Sequence, residues 1–463
     1  MLAQTLTTLV AIATCAAGAA LNPAAFAASD VIRKDFVILG GGASGTYAAI
    51  ALKDKGKSFV VVEKGGRLGG HARTYYDPKT GKGVDFGLQI YLNDSVVTNF
   101  FDRLNTPYTA VSPTQFGSPF IHADFAKKVL MPNYSRGSLG QDYLDDLAKF
   151  NPGANDLTYL KTPVDPALTL TWPEYIEQTG LSNASAYAAF NRPAIPGRLR
   201  EDLALYVFND LNDVMIREGQ RYGAIVNANR DNSQLYRNAQ AELGSSVLYN
   251  SQIIDGIRAN NNVRLVVNTP TGRKLIVAKQ VIIAMPRILS NMQTLGLDSK
   301  EKALISQITG GQYYGGVVNN TGLMQTAAYP NRGVDTAWNV PDVPSVVTIS
   351  PSPVDGFHYY WYTSLQATTR TVIESAVRDA ISTLQTLTGA AKTTPNFVDY
   401  QDFTPLQLRV SADNINSGFY QKFNAMQGYK GTWYVSAFNV PGSSQLFKNT
   451  MDLLPQIIAA AGN

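Results

Sequence analysis

Short apolar runs alternate with proline-free, alanine-rich segments near the start of the chain, and this alternation predicts strands followed by helices. Residues 35–39 form the first apolar run, residues 46–55 the first helical segment, and residues 58–62 a second strand. Further strands are predicted at 280–286 and 431–439. Together with a composition that is 45% hydrophobic and 16% charged over 463 residues, this pattern predicts an α/β fold with two domains.

A glycine-rich turn joins the first strand to the first helix. Its glycines have the spacing G-x-G-x-x-G, and the second strand ends at Glu63. This motif makes a tight turn, lets the backbone approach a pyrophosphate and places the phosphates at a helix N-terminus, while the acidic residue accepts hydrogen bonds from ribose. The alternative is an α/β unit whose glycines only form a sharp turn. The predicted dinucleotide-binding residues are Gly40, Gly42, Ala43, Ser44, Gly45 and Glu63.

A second glycine cluster, Lys64-Gly-Gly-Arg-Leu-Gly-Gly-His71, directly follows the acidic residue. An NAD site does not need such a cluster. A longer cofactor would use it, with Arg67 on its pyrophosphate and the bare backbone of Gly69 and Gly70 beside its ring system. Alternatively, Arg67 is a solvated loop charge. The sequence therefore favours FAD over NAD.

With these residues the chain resembles the flavin-containing amine oxidase superfamily, which has a G-R-x-G-G segment after its ribose-binding glutamate. Residues 84–91 look like the family's D-x-G-x-x strand along the flavin edge, and residues 280–286 like its strand ending in A-x-P. Residues 247–253 are similar to the strand whose last residue, here Ile253, binds adenine through its backbone. The resemblance implies a Rossmann-like, glutathione reductase-type FAD-binding domain with an inserted α+β substrate domain.

Near the C-terminus, Ser443 and Ser444 can cap a helix whose N-terminus, in the family, faces the N1/C2 edge of the flavin. Within the superfamily the chain is most similar to fungal FAD enzymes of the β-cyclopiazonate dehydrogenase type. The resemblance implies a flavoprotein that removes hydrogen from an organic substrate and passes electrons to an acceptor. The FAD-binding residues predicted beyond the first motif are Lys64, Arg67, Gly69, Gly70, His71, Ile253, Ser443 and Ser444.

The chain departs from the family at two positions. Many amine oxidases place a lysine near flavin N5, but this chain has no lysine between Lys302 and Lys392, which makes simple amine oxidation by oxygen less favoured. An acidic residue often holds the ribityl chain, whereas here Asn439 lies near that position. Ribityl binding would then rely on neutral groups such as Ser436 or Asn439.

The FAD-binding segments are far apart along the chain, so we predict discontinuous domains. The FAD-binding domain is expected at 31–95, 230–300 and 403–463. The segments between them, 96–229 and 305–402, are expected to form the substrate domain.

The flavin itself is expected to carry the chemistry, so no catalytic side chain is assigned firmly. The candidates are His71 and Gln89 near the flavin, and His358 in the aromatic run 357–362. Alternating members of that run would face a flat substrate, or else they form an ordinary core. With three histidines in the chain, no metal site is predicted, and neither a Ser-His-Asp arrangement nor a carboxylate pair favours hydrolysis.

The first 29 residues contain no charged side chain, and a short apolar stretch is followed by Ala25-Phe-Ala27. We predict a secretory signal peptide over residues 1–28 rather than a membrane anchor, because the stretch is shorter than the ~20 residues that span a bilayer. The single cysteine, Cys15, lies within it. Secretion would permit glycosylation at the N-x-S/T triplets, which begin at Asn93, Asn133, Asn183 and Asn319.

The sequence thus predicts a secreted FAD-dependent oxidoreductase that transfers a hydride from an activated C–H bond to flavin N5. Its partners would be a small apolar or aromatic substrate and an electron acceptor. The net charge of +4, without a basic run, argues against nucleic acid, and no stable membrane span is expected after cleavage. The alternatives are a redox-neutral isomerase of unsaturated fatty acids, similar to bacterial enzymes with a G-G-H segment, and a catalytically silent flavin-binding protein.

Overall fold

A computed structural model describes residues 21–111, 119–135, 137–190, 200–218 and 223–462. The strands, numbered β1 to β20 in chain order, are Val31–Leu39, Phe59–Val62, Thr74–Tyr76, Gly83–Asp85, Tyr91–Leu92, Tyr108–Val111, Ala123–Asp124, Val129–Leu130, Ala224–Asn227, Val247–Leu248, Gln252–Ala259, Asn262–Thr269, Gly272–Ile283, Thr309–Asn319, Tyr329–Pro330, Ser345–Pro351, Phe357–Ser364, Asn396–Asp402, Leu406–Arg409 and Thr432–Tyr434.

Helices flank these strands along the whole described chain. The α-helices, numbered α1 to α13, are Ala43–Asp54, Ser95–Arg103, Gln141–Phe150, Trp172–Thr179, Asn183–Phe190, Ala204–Asp210, Ser233–Leu243, Leu289–Met292, Ser299–Ile305, Arg370–Thr388, Ala412–Asn416, Phe419–Asn424 and Ser443–Ala460. A short π-helix spans Val214–Glu218.

The first sheet has seven strands in the order β10-β2-β1-β13-β12-β11, with β20 paired to β13. Strands β10, β2, β1, β13 and β20 run parallel, and β11, β12 and β13 form an antiparallel meander. Three distant parts of the chain therefore build one sheet. The central parallel strands are apolar throughout because both of their faces are covered.

The two faces of β1 belong to different cores. Phe36 and Ile38 pack with α1 and α13, whereas Val37 and Leu39 pack with the meander and the helices of the segment from α3 to α6. Because side chains alternate across a strand, this one strand joins both cores. Its buried position fixes the glycine turn that follows at Gly40.

The second sheet has six strands in the order β15-β16-β17-β14-β18, with β19 also paired to β14. Helix α10 packs on one face of it through buried Ile373, Val377 and Ile381. The opposite face, which includes Tyr359, contacts Val84 of β4 and so approaches the FAD-binding segment. The second sheet and α10 thus form an α+β layer whose other face packs against Val84 and Phe86.

Several predicted boundaries differ from the structure. Residues 84–91 are not one strand, because β4 ends at Asp85 and β5 begins at Tyr91. Residues 431–439 contain only the three-residue strand β20. Strand β19, which we assigned to the last FAD-binding segment, hydrogen-bonds to β14 of the second sheet instead. Apolar composition alone did not distinguish these irregular segments from strands.

Most of the predicted leader lies outside the described residues, which begin at Leu21. The Leu21 side chain is 3% exposed and packs against Val266 and Leu275 of the meander. Asp30 forms an ion pair with Lys274 over 3.2 Å. Of the helices that the structure describes, none combines the length and apolar character needed to cross a bilayer.

Candidate functional site: a dinucleotide cleft at the carboxyl edge of the sheet

The three motif glycines are needed for different reasons. Gly40 has φ +102°, and a Cβ there would lie 3.1 Å from the backbone of Ala284, while a Cβ at Gly45 would lie 1.9 Å from the Gly40 carbonyl oxygen. Internal packing therefore explains both. A Cβ at Gly42, by contrast, would meet only the Cα of Gly70, at 3.9 Å. The space in front of Gly42 is open, as close approach of a ligand requires.

Two helices begin at the same edge of the first sheet. The loop after β1 leads into α1, and the loop after β20, which runs parallel to β13, leads into α13. Tyr47 of α1 stacks on Phe447 of α13, with ring centroids 5.3 Å apart. Because the leading N–H groups of a helix have no partner inside it, this edge presents two neighbouring sites for electron-rich groups.

Glu63 is held by the two glycine segments. Its carboxylate oxygens accept the backbone N–H groups of Gly41 and Gly65, each over 2.7 Å. A carboxylate oxygen accepts more than one hydrogen bond, so the orientation leaves acceptor capacity for ribose hydroxyls. Lys64, next to it, is exposed, and the nearby Tyr249 hydroxyl is buried without a partner among the described residues.

The second glycine cluster lies directly against the first. The Gly69 N–H donates to the Gly41 carbonyl over 2.8 Å, and a Cβ at Gly70 would lie 3.0 Å from Gly42. Gly69 has φ +106°, and its bare Cα faces the ring of Tyr236. The sequence predicted two glycine segments around one cofactor, and the structure brings them into contact.

Arg67 binds its own loop. Its guanidinium donates to the carbonyls of Leu68, Gly70 and Ala72 over 2.8–3.0 Å. Burial, together with the charge of Arg73, lowers the pKa of Arg67. The alternative of a solvated surface charge therefore does not describe this side chain. In the structure it shapes the loop, and contact with a pyrophosphate stays a prediction.

His71 follows this loop and lies beside the second sheet. Its ring meets the ring of Phe403 edge-on, with centroids 5.4 Å apart. Solvent reaches the side chain, but desolvation in the cleft and the charge of Lys64 lower its pKa to about 4, so the imidazole is neutral at neutral pH. The His71 carbonyl accepts the N–H of Leu88, which places the neighbouring Gln89 in the same region.

Asp85 is a buried acid to which the sequence interpretation gave no role, although it lies in the D-x-G-x-x segment. It accepts the hydroxyl of Thr74 over 2.5 Å and the N–H of Asn232, at the start of α7, over 3.0 Å. Desolvation raises its pKa to about 7. Gln89 donates its side-chain N–H to the Asp85 carbonyl over 3.2 Å. The D-x-G-x-x motif in the sequence includes Asp85, but only the fold shows that its carboxyl group is buried.

The aromatic strand β17 has two distinct faces. Phe357, Tyr359 and Trp361 belong to the cluster that includes Val84 and Phe86 of the FAD-binding segment. The alternate residues point to the opposite side, where Tyr360 and Tyr362 pack in the core under α10. The core interpretation of this run therefore describes the face under α10, and contact of the other face with a flat substrate stays a prediction.

His358 belongs to the face under α10. It is fully buried, contacts the Thr321 hydroxyl over 3.1 Å and the Met324 carbonyl over 3.3 Å, and has a pKa lowered to about 4 by burial. Its position gives no support to a role as catalytic base, because it lies on the face of the sheet opposite the FAD-binding segment.

The predicted contacts at the far end of the site are partly rearranged. Gly442, not a serine, is the N-cap of α13, and the Ser444 hydroxyl accepts the Leu92 N–H over 2.9 Å while Ser443 is the first helical residue. Ile253 does not end a strand. It lies at the start of β11 and pairs with Val267 of β12.

The two neutral groups proposed for the ribityl chain already have protein partners. The Ser436 hydroxyl accepts Nε of Arg287 over 2.8 Å, and the Asn439 side chain donates to the Thr158 hydroxyl over 2.7 Å. Arg287 is buried among three aromatic rings, and burial lowers its pKa to about 10. The sequence gave no signal for this buried cation.

These features fit a bound FAD. A side chain at Gly42 would fill the open space in front of the glycine turn. Among the described residues, neither the Tyr249 hydroxyl near Glu63 nor the Oε1 atom of Gln445, in the first turn of α13, has a hydrogen-bond partner. They lie at the glycine turn and at two ends of the sheet edge, as an elongated ligand requires. Among the described residues there is no cluster of three or more potential metal ligands.

Comparison with known proteins agrees with this geometry. Residues 38–104 match the family model of the NAD(P)-binding Rossmann-like domain. "FAD-dependent oxidoreductase dbaF" from Emericella nidulans is 49% identical over 454 residues, which cover 96% of this chain and 96% of that protein. "Beta-cyclopiazonate dehydrogenase" from Aspergillus oryzae is 28% identical over 425 residues, 89% of this chain and 90% of that protein.

Solved structures share the architecture. A CLA-producing fatty acid isomerase from P. acnes has a TM-score of 0.72 at 15% identity and covers 91% of this chain and 98% of its own. Cyclohexylamine oxidase from Brevibacterium oxydans IH-35A has a TM-score of 0.63 at 17% identity, with 92% and 98% covered. At such low identity these matches concern the fold, and they confirm the predicted Rossmann-like, amine oxidase-like α/β architecture.

Proposed function

Because this chain belongs to the family of FAD-dependent oxidoreductases, we propose that it removes a hydride from an activated C–H bond of a small organic substrate. The predicted resemblance to β-cyclopiazonate dehydrogenase-like enzymes, the assignment as an oxidoreductase and FAD as its cofactor are confirmed. When bound, FAD supplies the hydride acceptor, N5 of its ring system. The chain's own residues position the substrate and exclude water.

The aromatic face of β17 is the observation on which this proposal depends most. Tyr359, Trp361 and Phe403 form an apolar, mostly buried aromatic surface on the side of the second sheet that meets Val84 and Phe86, and His71 lies edge-on against Phe403. Such a surface stacks on a planar or polyunsaturated substrate and keeps water from the reacting carbon. This favours an apolar or aromatic substrate over a charged amine.

The polar groups near this face suit hydride transfer without a strong side-chain base. The His71 imidazole is neutral at neutral pH, so it accepts or donates a hydrogen bond but holds no extra proton. Asp85 is engaged by Thr74 and Asn232. Positioning and electrostatic stabilisation of the reduced ring system are then the protein's contributions.

Anaerobic mixing with flat, apolar candidate substrates tests the proposal. We expect the flavin absorbance to bleach at a rate that saturates with substrate concentration, and substrate deuterated at the transferred position to react more slowly. Benzylamine serves as the comparison amine and should react poorly. If no apolar candidate bleaches the flavin while dithionite does, the protein is a catalytically silent flavoprotein and the proposal fails.

A redox-neutral isomerisation is the second candidate function, and the fold similarity to a fatty acid isomerase favours it. In that case the hydride removed from the substrate returns to another carbon of the same molecule. Single-turnover reaction with linoleic acid, followed by mass spectrometry, separates the two. Product of unchanged mass and flavin that re-oxidises without an acceptor would establish the isomerase, whereas a loss of two mass units would establish the dehydrogenase.

We propose that the protein is secreted after removal of its uncharged leader. The exposed triplets at Asn133 and Asn183 are then the favoured glycosylation sites. Cleavage near Ala27 would remove Leu21 from its contact with Val266 and Leu275, so intact mass and N-terminal sequencing of protein from culture medium define both the cleavage point and glycan occupancy. Protein retained inside cells with an intact N-terminus would contradict secretion.

A further inference from the structure

The first turn of α13 contains a buried polar atom without a partner. Gln445 is 8% exposed, and its Oε1 atom accepts no hydrogen bond from the described residues. Its side chain turns back toward the N-cap, because a Cβ built on Gly442 would lie 3.2 Å from that oxygen. Since leaving a buried acceptor unsatisfied costs about 1–3 kcal/mol, this oxygen is poised for a donor that arrives with a ligand.

A local helix cap does not account for this side chain. Gln at the third helical position often reaches back to the N–H of the N-cap in a capping box. Gln445 has that position and that direction, but its oxygen does not make the bond. The helix start is instead fixed from outside, since the Ser444 hydroxyl accepts the N–H of Leu92. The amide of Gln445 is therefore left for another group.

Its position points to the cofactor. Helix α13 begins at the carboxyl edge of the first sheet, beside α1 and the open glycine turn at Gly42. Its leading N–H groups donate, and Gln445 Oε1 accepts, so the site matches a planar group that has a carbonyl oxygen next to an N–H. A pyrophosphate has no such donor. The pyrimidine edge of the isoalloxazine, with C2=O beside N3–H, has both.

We propose that Gln445 recognises the flavin ring by accepting the N3–H hydrogen bond through Oε1, next to the helix N-terminus that the family resemblance places at the N1/C2 edge of the flavin. This inference rests on FAD as the cofactor, and not on the identity of the substrate. Gln445 is a cofactor-positioning residue in this assignment.

Reconstitution of the apoprotein with FAD and with 3-methyl-FAD, which lacks N3–H, tests the contact directly. We expect the wild-type chain to bind 3-methyl-FAD about tenfold more weakly than FAD, as the loss of one buried hydrogen bond implies. Gln445→Ala should bind FAD about tenfold more weakly and discriminate between the two flavins by no more than about twofold. Gln421→Ala is the matched control, because Gln421 is a helical glutamine whose Oε1 also lacks a partner, and it should discriminate as the wild type does.

The pKa of flavin N3–H provides a second readout that needs no cofactor exchange. An acceptor at N3 stabilises the protonated form, so an absorbance titration of the oxidised holoprotein should give a lower N3 pKa in Gln445→Ala than in the wild type. Gln445→Glu, which keeps an acceptor, should restore or raise it.

Two results would overturn the assignment. If Gln445→Ala weakens FAD and 3-methyl-FAD equally, the side chain contacts another part of the cofactor, such as a ribityl hydroxyl, or only supports the helix. An N3 pKa that is unchanged in Gln445→Ala excludes the contact. Neither measurement involves substrate, so a failure here is distinguishable from a failure of the proposed hydride transfer.

Discussion

At the scale of single residues, the glycine turn separates positions that serve folding from one that serves binding. Gly40 and Gly45 are pressed against backbone atoms of the protein itself, so their absence of a Cβ is a packing requirement. Gly42 has φ −72°, a backbone conformation that any residue adopts, and open space in front of it. Glycine is a favoured N-cap, and Gly42 caps α1, but the open space in front of it also fits the close approach of a ligand.

Gly42→Ala should therefore weaken FAD binding without unfolding the protein. We expect at least a tenfold increase in the dissociation constant for FAD, because the methyl group occupies the space of the pyrophosphate, and a loss of apoprotein stability of no more than about 1 kcal/mol, because alanine is a poorer N-cap than glycine. Fluorescence titration and thermal unfolding of the apoprotein measure the two effects. Gly45→Ala is the contrasting variant, and it should fail to fold. Normal FAD affinity in Gly42→Ala would contradict the role assigned to the turn.

Asp85 should make stability depend on pH. Desolvation raises its pKa in the folded chain from the usual 3.8 to about 7, so the folded state binds a proton more tightly than the unfolded state. The free energy of unfolding should therefore fall as the pH rises from about 4 to about 7, by up to ~4 kcal/mol, and then level off. Denaturant titrations at several pH values measure this slope.

Asp85→Asn should abolish that contribution. Both histidines with lowered pKa values act in the opposite direction, because protonating them on acidification favours the unfolded state, so the difference between wild type and variant isolates the carboxyl group. Equal pH dependence in the two proteins would show that folding leaves the pKa of Asp85 unshifted.

At the scale of secondary structure, local pattern predicted the regular elements well. The strand and helix that flank the first glycine turn occur within a few residues of their predicted limits. Segments 84–91 and 431–439 failed because their apolar residues are buried by loops around the cleft, where burial does not require strand pairing. The pairing of β19 with β14 is a long-range choice that local propensity does not encode.

The candidate site likewise combines features that the sequence predicts with features that only the fold shows. The glycine spacing and Glu63 were predictable because their chemistry depends on neighbours in sequence. The buried state of Asp85, the enclosure of Arg287 by aromatic rings and the unpaired Gln445 oxygen depend on residues distant in sequence, so only the assembled fold reveals them.

Strand β17 allows the two faces of one element to be tested separately. Tyr359→Leu changes the face that meets the FAD-binding segment, and Tyr362→Leu changes the face under α10. We expect Tyr359→Leu to slow anaerobic flavin reduction by the folded protein about tenfold or more, in addition to lowering the free energy of unfolding by about 1–3 kcal/mol, because Tyr359 is buried too. Tyr362→Leu should lower that free energy by about 1–3 kcal/mol and leave reduction by the folded protein unchanged. Equal effects on reduction would place the substrate elsewhere.

At the scale of the whole molecule, a buried ion network ties distant parts of the chain together. Arg409 of β19 donates to Asp202, over 3.4 Å, and to Asp210 of α6, over 2.8 Å, and its guanidinium lies 4.3 Å from the ring centroid of Tyr206. The two carboxylates lie on the inserted helical segment, whereas Arg409 precedes the C-terminal segment that leads to α13. The network thus connects the inserted helical segment with the chain that leads to α13.

Arg409→Leu should destabilise the folded protein by about 3–5 kcal/mol, because it leaves two buried carboxylates without their shared cation. Arg370→Leu, which removes an exposed pair with Glu374, should cost less than about 1 kcal/mol. If the network couples the two sides, Arg409→Leu should also lower FAD retention in the folded fraction, measured by the flavin-to-protein absorbance ratio after gel filtration. If Arg409→Leu destabilises the protein but retains FAD fully, the network contributes to folding and not to cofactor binding. If Arg409→Leu lowers the free energy of unfolding no more than Arg370→Leu does, water or other side chains replace the lost cation.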